Sequence, residues 1–148
     1  MERDTLVDQA ITRLRNYLQV DRVVLYYFYS QWRGQVTLES LSTETFSILG
    51  STGADDCFNG EYAELYLAGR VRAIANIEEE TIHPCHREFL RSIQVKANLV
   101  VPVLTPKGLW GLLVAHHCRS PHFWTKDEIV LMQEVAKTLA IAPSICQS

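Results

Sequence analysis

The chain has 148 residues, 47% of them hydrophobic and 21% charged, which suits a single domain over residues 1–148 with enough apolar side chains for one sizeable core. A formal net charge of -3 and a pI near 5.9 leave no basic stripe to neutralise phosphates, so no nucleic-acid partner and no anionic membrane surface is expected. No stretch reaches the roughly 18–20 consecutive apolar residues of a membrane span, and Met1-Glu2-Arg3-Asp4 leads into no signal-peptide core, so the expectation is a cytoplasmic protein without membrane insertion.

Leu6, Val7, Ala10, Ile11, Leu14, Tyr17 and Leu18 recur at helical spacing after Asp4 and predict an opening amphipathic helix. Arg22 to Tyr29, rich in Val, Leu, Tyr and Phe, predicts a strand, which Trp32-Arg33-Gly34 turns into a second from Gln35 to Ser42. Residues 50–60 read as irregular, and Ser51 to Asp56 is the most loop-like stretch. Tyr62, Leu65 and Tyr66 then mark a short helix that Gly69 ends in the left-handed conformation, followed by a short strand over Arg70–Ile74. Glu78-Glu79-Glu80 and His83-Pro84 read as loop, with a short helix from His86 to Ser92.

Two strongly apolar runs, Ala97–Leu104 and Leu109–His117, flank Thr105-Pro106-Lys107-Gly108 and make the clearest hairpin. Thr125 and Glu128 at capping-box spacing open a final helix with Ile129, Met132, Val135, Ala136, Leu139 and Ala140 on one stripe, and Pro143 should stop or kink it. This order predicts an α+β domain, an antiparallel sheet with helices on its faces.

Cys57, Cys85, Cys118 and Cys146 allow two disulfides by parity, but a chain with an adequate core does not need them, and free thiols are expected. His83, Cys85 and His86 match no standard zinc spacing, so no metal is expected. Without a phosphate loop, a paired-histidine motif or a serine elbow, conventional catalysis has no support either.

Asp55-Asp56-Cys57-Phe58, followed at a separation of 28 residues by Cys85-His86, resembles the two cysteine sites of dual-cysteine cyanobacteriochromes, the DXCF type of the phytochrome superfamily. The resemblance continues through Gly69 to Ile74, Gln94 to Leu104 and Leu109 to His116. It implies a GAF domain with a bilin pocket on one face of its sheet, filled by a linear tetrapyrrole, phycocyanobilin or phycoviolobilin.

By the same resemblance Cys85 forms the permanent thioether to the A ring. His86 lies against the pyrrole nitrogens and, when protonated, would stabilise the Cys85 thiolate. Cys57 adds reversibly to the central methine bridge, interrupting conjugation and giving a blue-absorbing state of the blue/green type. Asp55 accepts hydrogen bonds from pyrrole N–H groups; Asp56 replaces the commoner proline, so which of the two carboxylates faces the pigment stays open. Both acids would disfavour a Cys57 thiolate.

His116 matches the histidine near the D-ring carbonyl, whereas His117 departs from the usual glutamine, and strand alternation lets only one of the two face the pocket. Arg70 and Arg72 are candidates for the propionates, and Phe58, Tyr62, Tyr66 and Trp110 for the pocket lining. The implied device is a photoswitch working by isomerisation between the C and D rings, with an output domain in the same parent chain from which this module is a piece. Its own chemistry is limited to attaching its pigment. The apolar stripes of the terminal helices suit either a homodimer or packing on the sheet. The rivals are a GAF domain that holds a small ligand such as a cyclic nucleotide noncovalently, and a thiol switch made by Cys57 and Cys85.

Overall fold

Two antiparallel hairpins frame the molecule. In the computed structural model, which describes residues 5–30, 33–51 and 60–146, β1 (Arg22–Ser30) pairs with β2 (Arg33–Leu41), and β4 (Ala97–Thr105) pairs with β5 (Gly108–His117). β1 also pairs with β5, and the short β3 (Arg72–Ile74) adds to β4, giving a five-stranded antiparallel sheet in the order β2-β1-β5-β4-β3. The alternation of apolar residues assigns each strand two faces, and the helices cover both.

One face is closed. α1 (Thr5–Leu18) and α4 (Lys126–Ala140) lie against it, burying Val7, Ile11, Leu14 and Leu18 from α1 and Met132, Ala136, Leu139 and Ala140 from α4. The stripes that suited either a dimer or the sheet therefore pack on the sheet. Leu6 and Tyr17, placed on that stripe from spacing, stand outside it at 69% and 74% exposure. Thr125 caps α4 with the full reciprocal box expected from Glu128, and Pro143 starts a separate short helix, α5 (Pro143–Cys146), instead of bending α4.

The other face carries α2 (Gly60–Leu67) and α3 (Pro84–Ser92). Gly69 closes α2 at φ 95°, with Gly69 N–H donating to Tyr66 O at 3.0 Å and Arg70 N–H to Leu65 O at 3.0 Å, the paired bonds of a Schellman end. A 3-10 turn over Glu44–Phe46 was not anticipated. Residues 31 and 32, within the expected turn, and 52–59, within the stretch read as irregular from sequence, lie outside the described residues.

One irregularity decides a side chain's face. The β4–β5 register passes from Val103↔Gly111 to Leu104↔Leu109, so Trp110 is the extra residue of a β-bulge. It turns to the closed face, where its ring lies 5.0 Å from that of Tyr27. Next to it Gly111 is required by close approach: a Cβ there would meet Tyr26 O at 2.0 Å.

Candidate functional site

Between the sheet and α2 and α3 lies a cleft of about 100 Å³, open to solvent at its mouth. Its floor is the even-numbered row of the central strands: Val24 and Tyr26 of β1, Leu112 and Val114 of β5, Val100 of β4. Tyr66 from α2, Ile48, and His86 and Phe89 from α3 form the walls. At one end the row turns polar, with His116 and Asn98.

α3 is set by its first turn. His83 is its N-cap, the ring Nδ1 accepting the Cys85 N–H at 3.0 Å, and Pro84 supplies the fixed φ at the first helical position,. Cys85 is thus the second residue of the helix. Below it, Arg87 donates to the carbonyls of Ile77 and Glu80, tying α3 to the preceding loop. Cys85 is disulfide-bonded while Cys118 and Cys146 are free, which corrects the expectation of four free thiols: parity and core size say nothing about which sulfurs the fold brings into bonding distance.

His86, half-buried on the cleft wall, has its pKa lowered to about 4 by burial first and then by the charges of Arg72, Arg70 and His83. It is neutral at pH 7, so a protonated His86 does not stabilise a Cys85 thiolate. Arg72 stands opposite Val100 in the sheet register, hence on the cleft side, and pairs with Glu80 at 3.7 Å; the Arg70 guanidinium lies 5.7 Å from the centre of the Tyr66 ring.

His116 is 3% exposed, and its Nδ1 accepts from Arg22 Nε at 3.0 Å. A guanidinium only donates, so Nδ1 carries no proton and Nε2–H is the donor left to the cleft. Burial, then the Arg22 charge, holds the pKa of His116 well below its ordinary value. Arg22 is itself fully buried and donates as well to Phe46 O and Ile93 O, each at 2.7 Å. One cation thereby joins β1, the 3-10 turn, the end of α3 and the cleft histidine.

The structure brings Tyr66, His86 and His116 together around the cleft, with Arg70 and Arg72 beside His86. His117 points to the opposite face, its ring 4.4 Å from that of His122 and 5.3 Å from that of Trp124. Trp110 is corrected: the bulge removes it from the cleft. Asp55, Asp56, Cys57 and Phe58 lie outside the described residues, as does the side chain of Tyr62. Arg22 and Asn98 were missed, although each is a polar residue at an even position of an otherwise apolar strand, in phase with Val24 and with Val100.

Residues 2–142 match the model of the GAF domain. The chain belongs to the GAF domain family. It is 52% identical to an uncharacterized protein of Picosynechococcus, over 95% of this chain and 86% of that one. To a putative methyl-accepting chemotaxis protein of Synechocystis it is 37% identical over 94% of its own length but only 14% of the other's. Among solved structures, the blue-light absorbing form of the Thermosynechococcus elongatus PixJ GAF domain matches with a TM-score of 0.85 at 32% identity, covering 93% of this chain and 82% of that one. A phycocyanobilin-bound GAF domain from a cyanobacterial phytochrome matches with a TM-score of 0.86 at 29% identity, covering 100% and 86%. Among the described residues no helix of this GAF domain is long and apolar enough to cross a membrane.

Proposed function

We propose that this GAF domain is the light-sensing module of a bilin photoreceptor, holding phycocyanobilin or phycoviolobilin in the cleft and bonding it through Cys85. The observation that carries the reading is the cleft itself. An apolar floor suits flat conjugated rings, two guanidinium groups beside His86 suit carboxylates, and a tautomer-fixed His116 offers one N–H at the far end. Cys85 directly precedes the cleft-lining His86 in the first turn of α3.

Once an external thiol reductant has opened the Cys85 disulfide, the freed Cys85 thiol would add across the double bond of the A-ring side chain, a C–S bond forming while its proton passes to the neighbouring carbon. Arg72 exchanges Glu80 for a propionate, with Arg70 as the second cation. Neutral His86 meets the pyrrole nitrogens, and His116 Nε2–H donates to the D-ring carbonyl. When bound, the bilin supplies light absorption and Z/E isomerisation between its C and D rings. Cys57 would add reversibly to the methine bridge to give the blue-absorbing state, its sulfur bonding the bridge carbon while its proton passes to a pyrrole nitrogen, with Asp55 or Asp56 accepting from the pyrrole N–H groups and both acids favouring the protonated thiol when the adduct opens.

The signal passes to an output domain of a longer parent chain in the cytoplasm; the module's own covalent chemistry ends with pigment attachment. A homodimer, if formed through the terminal helices, uses exposed Leu6, Tyr17, Val130 and Ile141, since the main stripes are covered.

The test is to produce the protein with phycocyanobilin and record absorption after acid denaturation for the wild type, Cys85→Ala and Cys57→Ala. Cys85→Ala is expected to lose covalent pigment, and Cys57→Ala to keep it without the blue-absorbing native state. A colourless wild type overturns the reading. A thiol switch is favoured by one observation, the disulfide at Cys85; a pigment-free protein whose titratable thiols change reversibly with oxidant would establish it instead.

A further inference from the structure

Arg22, His116 and Asn98 are consecutive partners across three strands, Arg22↔His116 between β1 and β5 and Asn98↔His116 between β4 and β5. They form a single polar row across an apolar face. Asn98 is 2% exposed and lines the cleft, and among the described residues its Oδ1 is buried with no hydrogen-bond partner. Buried polar atoms are almost always paired, because an unpaired one keeps its full desolvation penalty. Beside it, His116 has its Nδ1 occupied by Arg22 and presents Nε2–H,. The row therefore offers a donor and an unmet acceptor side by side, on residues whose backbones are fixed by register.

We propose that Asn98 and His116 together read the edge of a cyclic amide: His116 Nε2–H donates to its carbonyl, and Asn98 Oδ1, turned to the ligand by rotation about the Cβ–Cγ bond, accepts its N–H. A lactam carries these two groups on adjacent atoms in the complementary order. Carboxylates, ethers and hydrocarbon rings do not. Granted the bilin reading above, on which this rests, the ligand group is the terminal lactam ring at the His116 end of the cleft, and Asn98 is a positioning residue that holds the ring in one of its two orientations. Isomerisation then breaks both bonds at once, and the acceptor left unpaired favours the return.

The experiment uses Asn98→Leu, close in volume and without polar atoms, and Asn98→Ala, which adds no bulk, so that a failure of Leu to fit does not end the test. In the pigment-free protein either variant removes an unpaired buried acceptor, and Asn98→Leu is expected to raise the thermal midpoint by about 3 °C. In the pigment-loaded protein, at equal loading judged by acid-denatured absorption, each is expected to shift the native absorption band of the state that holds the ring and to change its thermal reversion rate about tenfold, the effect of one lost hydrogen bond to a buried partner. The proposal requires both outcomes. If both variants lower the midpoint of the pigment-free protein, or leave the loaded band and reversion rate within twofold of wild type, Asn98 is a structural residue and the proposal fails while the bilin reading stands. If the wild type takes up no pigment, both fall together.

Discussion

The two faces of the sheet are built from the same strands and differ residue by residue. Val101 is on the closed face at 0% exposure, and Val100, its neighbour, floors the cleft at 7%. His116 and His117 divide in the same way, one held by Arg22 over the cleft and the other stacked against His122. The closed face is packed by two helices, whereas the cleft face leaves open space; among the described residues each face keeps one buried polar atom without a partner, Asn98 Oδ1 over the cleft and His117 Nε2 opposite it. Stability and recognition are thus separated by the strand repeat of two, within a thickness of one residue.

Four measurements sharpen or break that contrast. The largest effect belongs to the cation under the cleft: Arg22→Met leaves His116 Nδ1, Phe46 O and Ile93 O without their donor and is expected to cost about 3 kcal/mol in urea unfolding, with the His116 pKa moving up toward its ordinary value by NMR titration. A loss under about 1 kcal/mol would mean that water replaces the guanidinium without difficulty. Next come the paired valines. Val101→Ala should cost about 2–3 kcal/mol and Val100→Ala about 1, because the second side chain already borders open space; equal losses would erase the distinction between the faces.

Acid should weaken the cleft side selectively. The folded-state pKa of His86 is lowered to about 4, so between that value and the unfolded one near 6.5 the unfolded chain binds the extra proton. Stability is accordingly full above about pH 6.5 and is lost as pH falls toward 4, with a slope of at most about 1.4 kcal/mol per pH unit from this group. His116 acts in the same direction. His86→Gln should flatten that part of the pH–stability curve, and an unchanged curve would place the acid sensitivity elsewhere. Smallest is Thr125→Ala on the closed side, expected to cost about 1 kcal/mol by loss of the α4 cap, with no change in the His86 or His116 titrations.

The sequence was most informative where local chemistry acts alone. The Thr105–Gly108 turn, the Thr125–Glu128 cap and the Gly69 end of α2 were all readable because each depends on residues within one turn. The choice between His116 and His117 needed the strand phase, which periodicity bounds but only pairing settles. Trp110 was misplaced because a bulge is a property of two strands in register. Arg22 was legible only as the first residue of a strand; its burial depends on Phe46 and Ile93, 24 and 71 residues away. Leu6 and Tyr17 fit an apolar stripe by spacing, yet both stand outside the buried face of α1, which Val7, Ile11, Leu14 and Leu18 make up.

The bulge at Trp110 also bears on how this strand tolerates changes of length. Removing Trp110 would restore regular pairing, Val103 opposite Gly111 and Leu104 opposite Leu109, as these partners already stand. Every remaining residue of β5 would keep its face, at the loss of one aromatic contact. Removing Leu113 instead would force one half of the strand to turn over, putting His117 where His116 now meets Arg22 or exchanging the floor for the core. Single-residue deletions in a lineage of such domains should therefore gather at this position and be purged a few residues further on.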